Sequence, residues 1–120
     1  MKISFLGGGN MANALIGGML KQGFAAADIN VIDPGTDARV RLATTYAVNC
    51  VEAAEMLAEV GDLLVVAVKP QQMQDALTPL VGRLGDALVV SIAAGLDMAT
   101  LSRWLGGHRR IVRCMPNTPA

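Results

Sequence analysis

The chain has 120 residues and no formal net charge; 52% of its residues are apolar and 17% charged. That length suits one domain with its own core, and the composition excludes a disordered chain. Balanced charge lacks the basic excess that a nucleic-acid or acidic-membrane partner calls for.

Residues 2–6 read as a first strand that runs into Phe5-Leu6-Gly7-Gly8-Gly9-Asn10-Met11-Ala12. Gly7, Gly9 and Ala12 fit G-x-G-x-x-A, the alanine-ended form of the dinucleotide fingerprint, in its required place between strand and helix. Gly7 allows a sharp turn, Gly9 lets a pyrophosphate approach the backbone, and Ala12 lets the helix lie close on the strand. Free N–H groups at the helix start would face the phosphates, with Asn10 as a candidate cap. The helix is expected over residues 11–22, with Met11, Leu15 and Met19 beside Ala12 and Ile16 on its apolar face. Gly17 and Gly18 inside it suggest close packing, since each costs about 1 kcal/mol relative to alanine. Gly23 is a plausible helix end.

A second strand at residues 29–32 ends in Asp33-Pro34-Gly35. Asp33 stands where the fingerprint expects a carboxylate for the ribose hydroxyls, which suits NAD and would repel a 2′-phosphate. Thr36, Arg39 and Arg41 follow closely and offer that phosphate a hydroxyl and positive charge, so the two signals oppose each other. A turn aspartate before proline is the purely structural alternative for Asp33.

Further helices are expected at residues 37–46 and 52–60, the second with Ala53, Met56, Leu57 and Val60 on one face, and a short strand or strand pair at residues 47–50. Leu63-Leu64-Val65-Val66-Ala67-Val68 is the continuous aliphatic run of a parallel strand covered on both faces. It ends at Lys69-Pro70, and the following helix should kink or split at Pro79. Residues 87–92 form the next buried strand. Asp97 should cap a helix that turns Met98, Leu101 and Leu105 inward, and residues 111–114 read as a last strand.

Alternating aliphatic strands and amphipathic helices imply an α/β fold: a doubly wound parallel sheet, the Rossmann-like NAD(P)-binding type, over residues 1–120. Cys50 and Cys114 set no disulfide framework and match no zinc spacing, so no metal site is expected. No signal peptide and no membrane span are read, and a cytoplasmic setting fits. His108 and the Arg109, Arg110 and Arg113 cluster read as surface residues.

Four blocks carry a resemblance. The glycine turn, Ala67-Val68-Lys69-Pro70, Val90-Ser91-Ile92-Ala93-Ala94-Gly95 and Arg113-Cys114-Met115-Pro116-Asn117-Thr118-Pro119-Ala120 resemble the signature blocks of the pyrroline-5-carboxylate reductase family, in order and at matching spacing. The last block is the most specific. The resemblance implies reduction of 1-pyrroline-5-carboxylate to L-proline with NADPH or NADH, in proline biosynthesis. It implies that Leu6, Gly7, Gly8, Gly9, Asn10 and Met11 hold the pyrophosphate, while Asp33, Pro34 and Thr36 are the ribose candidates that the fingerprint gives. Ala67, Val68, Lys69 and Pro70, then Ala93, Ala94 and Gly95, would line the path to the nicotinamide, near Asn117 and Thr118. The family's asparagine before the fourth strand is replaced here by Ala54. The family's helical second domain, with its substrate-carboxylate loops and its dimer interface, is absent from these 120 residues. Ser91 and Thr118 are hydroxyls without a visible activating partner, so no catalytic residue is assigned and the chain is expected to be poorly active alone. Another NAD(P)-dependent dehydrogenase, a deazaflavin-linked NADP reductase, or a non-catalytic nucleotide-binding module are the alternatives.

Overall fold

The computed structural model describes residues 1–92 and 97–114. Six parallel strands form one sheet: β1 (Ile3–Leu6), β2 (Ile29–Ile32), β3 (Asn49–Val51), β4 (Leu63–Val66), β5 (Leu88–Ser91) and β6 (Ile111–Arg113), in the spatial order β3-β2-β1-β4-β5-β6. Helices α1 (Asn10–Lys21), α2 (Thr36–Tyr46), α3 (Pro70–Leu77) and α4 (Met98–Trp104) connect them. The chain walks outward from β1 to β3, then returns to the other side of β1 and walks outward again. Leu6 ends level with Ile32 on one side and Val66 on the other, so the direction reverses between β1 and β4. Ligands of such sheets sit outside the carboxyl ends of the strands at that reversal.

Period-two alternation divides the strands between two cores. Ile3 and Phe5 of β1 and Val65 of β4 pack with Ala12, Ile16 and Leu42 on the α1–α2 face. Leu6, Leu64 and Val66 pack with Met73, Leu77 and Leu101 on the α3–α4 face. A central strand therefore needs apolar residues in both phases, which is why β4 reads as an unbroken aliphatic run.

The expected strands agree with the structure to within a few residues, and four expected details do not. Helix α1 buries Ala12 and Ile16, while Met11 and Leu15 are each 37% exposed on its outer side. Met98 of α4 is likewise 48% exposed, and Leu101 and Leu105, with half-buried Trp104, carry that contact. Residues 52–60 form a single 3-10 turn (Ala54–Met56), not a helix. The guanidinium of Arg83 donates to the carbonyl oxygens of Ala54 and Leu57, which a helix would have given to its own amides. The turn buries Ala54, Leu57 and Val60 and leaves Met56 outside. Residues 47–50 form no strand pair: Ala47 closes α2 in the left-handed region at φ 58°, and Asn49–Val51 then joins the edge beside β2.

Other local features follow the sequence. Helix α3 stops at Leu77, and a 3-10 turn (Thr78–Leu80) contains Pro79, which has no N–H for a helical bond. The Asp97 carboxylate accepts from Thr100 N–H at 2.8 Å and caps α4. Gly17 lies where an added Cβ would meet the Tyr46 hydroxyl at 2.9 Å, so it is a close-packing glycine, whereas Gly18 faces open space. Gly23, at φ 101°, follows the α1 cap.

Replacing Arg83 with alanine should leave the Leu57 carbonyl without its donor and the Ala54 carbonyl with the Leu57 amide alone, and cost about 1–3 kcal/mol of stability, measured by urea unfolding.

Candidate dinucleotide site

The carboxyl ends of β1, β2 and β4 meet around the glycine turn. Backbone bonds carry the ladder one residue beyond each strand: Gly7 N–H donates to Ile32 O at 2.8 Å, Ala67 N–H to Leu6 O at 2.8 Å and Asp33 N–H to Val51 O at 2.9 Å. Gly7, Asp33 and Ala67 are thereby held in one rim.

Each glycine of the turn has a separate reason. Gly7 has φ +102°, and an added Cβ would sit 2.9 Å from Ala67 O. Gly8 is buried against Leu42 of α2, whose Cδ1 would meet a Cβ at 2.9 Å. Gly9 is exposed, and none of the described residues comes within 4 Å of where its Cβ would stand. It is the one glycine of the three that leaves space above the backbone for a ligand. Gly9 is also the N-cap of α1, so Asn10 is the first helical residue and does not cap with its side chain. Asn13 N–H to Gly9 O is the first helical bond, at 2.9 Å. The amides before it point out of the helix start with no acceptor four residues back. No acidic residue occupies that first turn. Fixed donors and the positive end of the helix together suit an anion.

Asp33 is half-buried, and its carboxylate is already engaged. Oδ2 accepts from Gly8 N–H and Oδ1 from Gly35 N–H, both at 2.7 Å. Its carbonyl accepts from Arg39 Nη1 at 2.8 Å, and Arg39 Nη2 donates to the Thr36 hydroxyl at 3.3 Å. The opposing charges noted in the sequence are thus folded into one loop, with Thr36 as the first residue of α2. Arg41, also exposed, takes no part in these bonds.

Beside this rim lies a pocket of 340 Å³, walled by Leu6, Ile32, Pro34, Ala54, Val68 and Pro79. Glu52, Glu55 and Asp75 also line it. Apolar walls with carboxylates nearby suit a flat base that carries N–H donors. Leu6, Pro34 and Val68 were named from the sequence as dinucleotide contacts, Leu6 at the pyrophosphate and Val68 on the path to the nicotinamide, whereas Glu52, Glu55 and Asp75 were not named. Glu52 and Glu55 belong to the segment expected as the third helix, and Asp75 to the outer face of α3. Only the fold brings them beside Leu6. Ala54 was noted only as a substituted position; here it is a buried wall.

Asn10 and Met11 are exposed at the start of α1, on the rim. Lys69 caps α3 with its backbone, and Pro70 is the first helical residue. Ala93, Ala94, Gly95, Asn117 and Thr118 lie outside the described residues. Ser91 is buried at the end of β5, and its hydroxyl has no partner among the described residues. Burial pushes the Cys50 thiol up, with Arg39 opposing, so it is no ready nucleophile. Among the described residues no group of three or more metal-ligating side chains occurs, and no helix is long and apolar enough to cross a membrane.

The family model described as NADP oxidoreductase, coenzyme F420-dependent, matches residues 2–95. The chain belongs to that family. Within its range lie the glycine turn, the Asp33 loop and the pocket. The chain is also similar to a pyrroline-5-carboxylate reductase of Pseudomonas aeruginosa, 48% identical over 99% of this chain and 44% of the relative. The solved structure of such a reductase from Coxiella burnetii superposes with a TM-score of 0.90 at 34% identity, covering 98% of this chain and 44% of that one. A pyrroline carboxylate reductase of Plasmodium falciparum, solved with NADP bound, matches at TM-score 0.82 and 29% identity over 99% of this chain and 43% of that one. The resemblance read from the four sequence blocks is borne out, and so is the Rossmann-like fold. The chain spans less than half the length of these relatives.

Gly7→Ala should lose about 1–3 kcal/mol of folding stability, because the new Cβ meets backbone at a positive φ. Thermal unfolding of this variant beside Gly18→Ala, where space is open, measures the difference.

Proposed function

We propose that residues 1–120 are one dinucleotide-binding domain, the part of a pyrroline-5-carboxylate reductase that binds NADPH or NADH. The observation that carries this reading is the open face of Gly9 beside the unpaired amides of α1, next to a base-sized apolar pocket. The bound nicotinamide supplies a hydride for the C=N bond of 1-pyrroline-5-carboxylate, giving L-proline.

The residues divide this work. Leu6 to Met11 cradle the pyrophosphate: Gly9 gives access, and the amides of Asn10 and Met11 offer donors. Pro34 and Thr36 frame the adenosine ribose, Asp33 holds their loop through Gly35 N–H, and Arg39 is close enough to add positive charge for a 2′-phosphate. Adenine enters the pocket between Pro34, Ala54 and Val68. Ala67, Val68, Lys69 and Pro70 continue the path across the end of β4. Ala93, Ala94, Gly95 and Asn117 complete it towards the nicotinamide in this reading, on sequence resemblance alone. The groups that hold the substrate carboxylate and protonate the imine nitrogen are assigned to the relatives' additional length. The working protein is read as a cytoplasmic homo-oligomer acting on a small molecule, without nucleic-acid or membrane partners.

A deazaflavin-linked NADP reductase is a second reading, favoured only by the family's description. Relatives matching nearly the whole chain support the proline-forming reaction instead.

Fluorescence titration with NADH and NADPH should show saturable binding of both; failure to bind either would overturn the reading. Turnover of pyrroline-5-carboxylate by these 120 residues alone should be slow or undetectable. Full activity would overturn the assignment of the acceptor site to another region. Gly9→Ala should weaken both dinucleotides by at least ~10-fold, or about 1.4 kcal/mol, while the melting temperature stays near wild type.

A further inference from the structure

Gly8 is buried, so its amide requires an acceptor inside the protein. The acceptor is Asp33 Oδ2, 25 residues away in sequence and 2.7 Å away in space. The other oxygen of the same carboxylate accepts from Gly35 N–H at 2.7 Å. One charged group therefore joins the turn after β1 to the loop after β2. A second tie reinforces it, because Gly7 N–H donates to Ile32 O. The Asp33 carbonyl and amide are engaged as well, with Arg39 and Val51. An ionised carboxylate has about four acceptor sites, and the protein fills one on each oxygen of Asp33 before any ligand arrives. Here each oxygen already holds an amide of the rim.

We infer that Asp33 is a positioning residue and not a ribose ligand: its carboxylate fixes the Gly7–Gly9 turn against the Pro34–Thr36 loop, so that the free amides of α1 meet a pyrophosphate already in place. This rests on the proposed dinucleotide site. The usual reading of an acid at the end of the second strand makes it the group that selects NADH over NADPH. At this position the selection follows from other groups, and Asp33 acts on both dinucleotides through the amide of Gly8.

The test uses Asp33→Asn and four probes: adenosine, ADP, NADH and NADPH. Adenosine carries the ribose hydroxyls and no phosphate; ADP carries both. The amide side chain keeps the shape but has one acceptor oxygen, so one rim amide loses its partner. The variant should weaken ADP, NADH and NADPH by a common factor of about fivefold or more, from the lost charge-assisted bond. Adenosine affinity should stay at the wild-type value, a result that general loss of structure would not give. A parallel fall in adenosine affinity would overturn the inference. So would a shift of about tenfold in the NADPH-to-NADH ratio towards NADPH. If the variant does not fold, amide exchange in the wild-type protein decides. Protection of the Gly8 and Gly35 amides with and without saturating ADP supports the positioning role, and release of either amide by ADP refutes it. Failure of the wild-type protein to bind any dinucleotide would instead sink the proposed function, and the wild-type titrations separate the two outcomes.

Discussion

Where β1 ends, the chain must turn while its amides stay out of water. Gly7 and Gly8 are both buried, and both amides need acceptors. Neither finds one in its own strand or helix. Gly7 takes the carbonyl of Ile32 and Gly8 takes the carboxylate of Asp33, so both debts are met by β2 and the residue after it. The first turn cannot be built without the second strand. Much of the rim depends on this, including the placement of α1, the orientation of its first amides and the approach of α2 through Leu42.

Steric limits act beside those bonds. Gly7 is excluded from carrying a side chain by the backbone of Ala67, and Gly8 by Leu42. Gly9 is limited by nothing among the described residues. Three adjacent residues of one type thus answer to β4, to α2 and to a vacant volume. Packing explains the first two, while the third is the N-cap of α1, a position that favours glycine and leaves its face open.

The strands were legible because burial on both faces leaves an unambiguous record, as in Leu63-Leu64-Val65-Val66. Pro79 and Asp97 were legible because their effects are local: a missing donor and a short side chain beside a free amide. The 52–60 segment was not. Its helix-like spacing of Met56, Leu57 and Val60 competes with a distant guanidinium, and the Arg83 contacts with Ala54 and Leu57 cannot be read from nearby residues. The outward face of Met11 and Leu15 was missed for a related reason. Periodicity locates an apolar stripe but does not say how much of its width the sheet covers. In the site, the glycine turn and Asp33 were visible as a motif, whereas the partner of the Asp33 carboxylate was not. An acid at the end of a second strand carries the same letter whether it faces a ribose or an amide. The carboxylates of Glu52, Glu55 and Asp75 were invisible as a group, because they converge only after β3 and α3 are placed.

The start of α3 has a consequence for how a long ligand lies. Helix α1 begins with glycine and then offers successive amides, but α3 begins with proline at its first position. Proline has no amide hydrogen to give. Two helix starts flank the same cleft, and one of them is poor in donors. Among the described residues the cleft is therefore polarised along its length, with the α1 start suited to an anion and a mostly apolar bay edged by carboxylates beside it. A molecule with a charged middle and uncharged ends can register there in few ways. In the proposed dinucleotide reading, that asymmetry would favour one direction of threading for an unsymmetrical ligand.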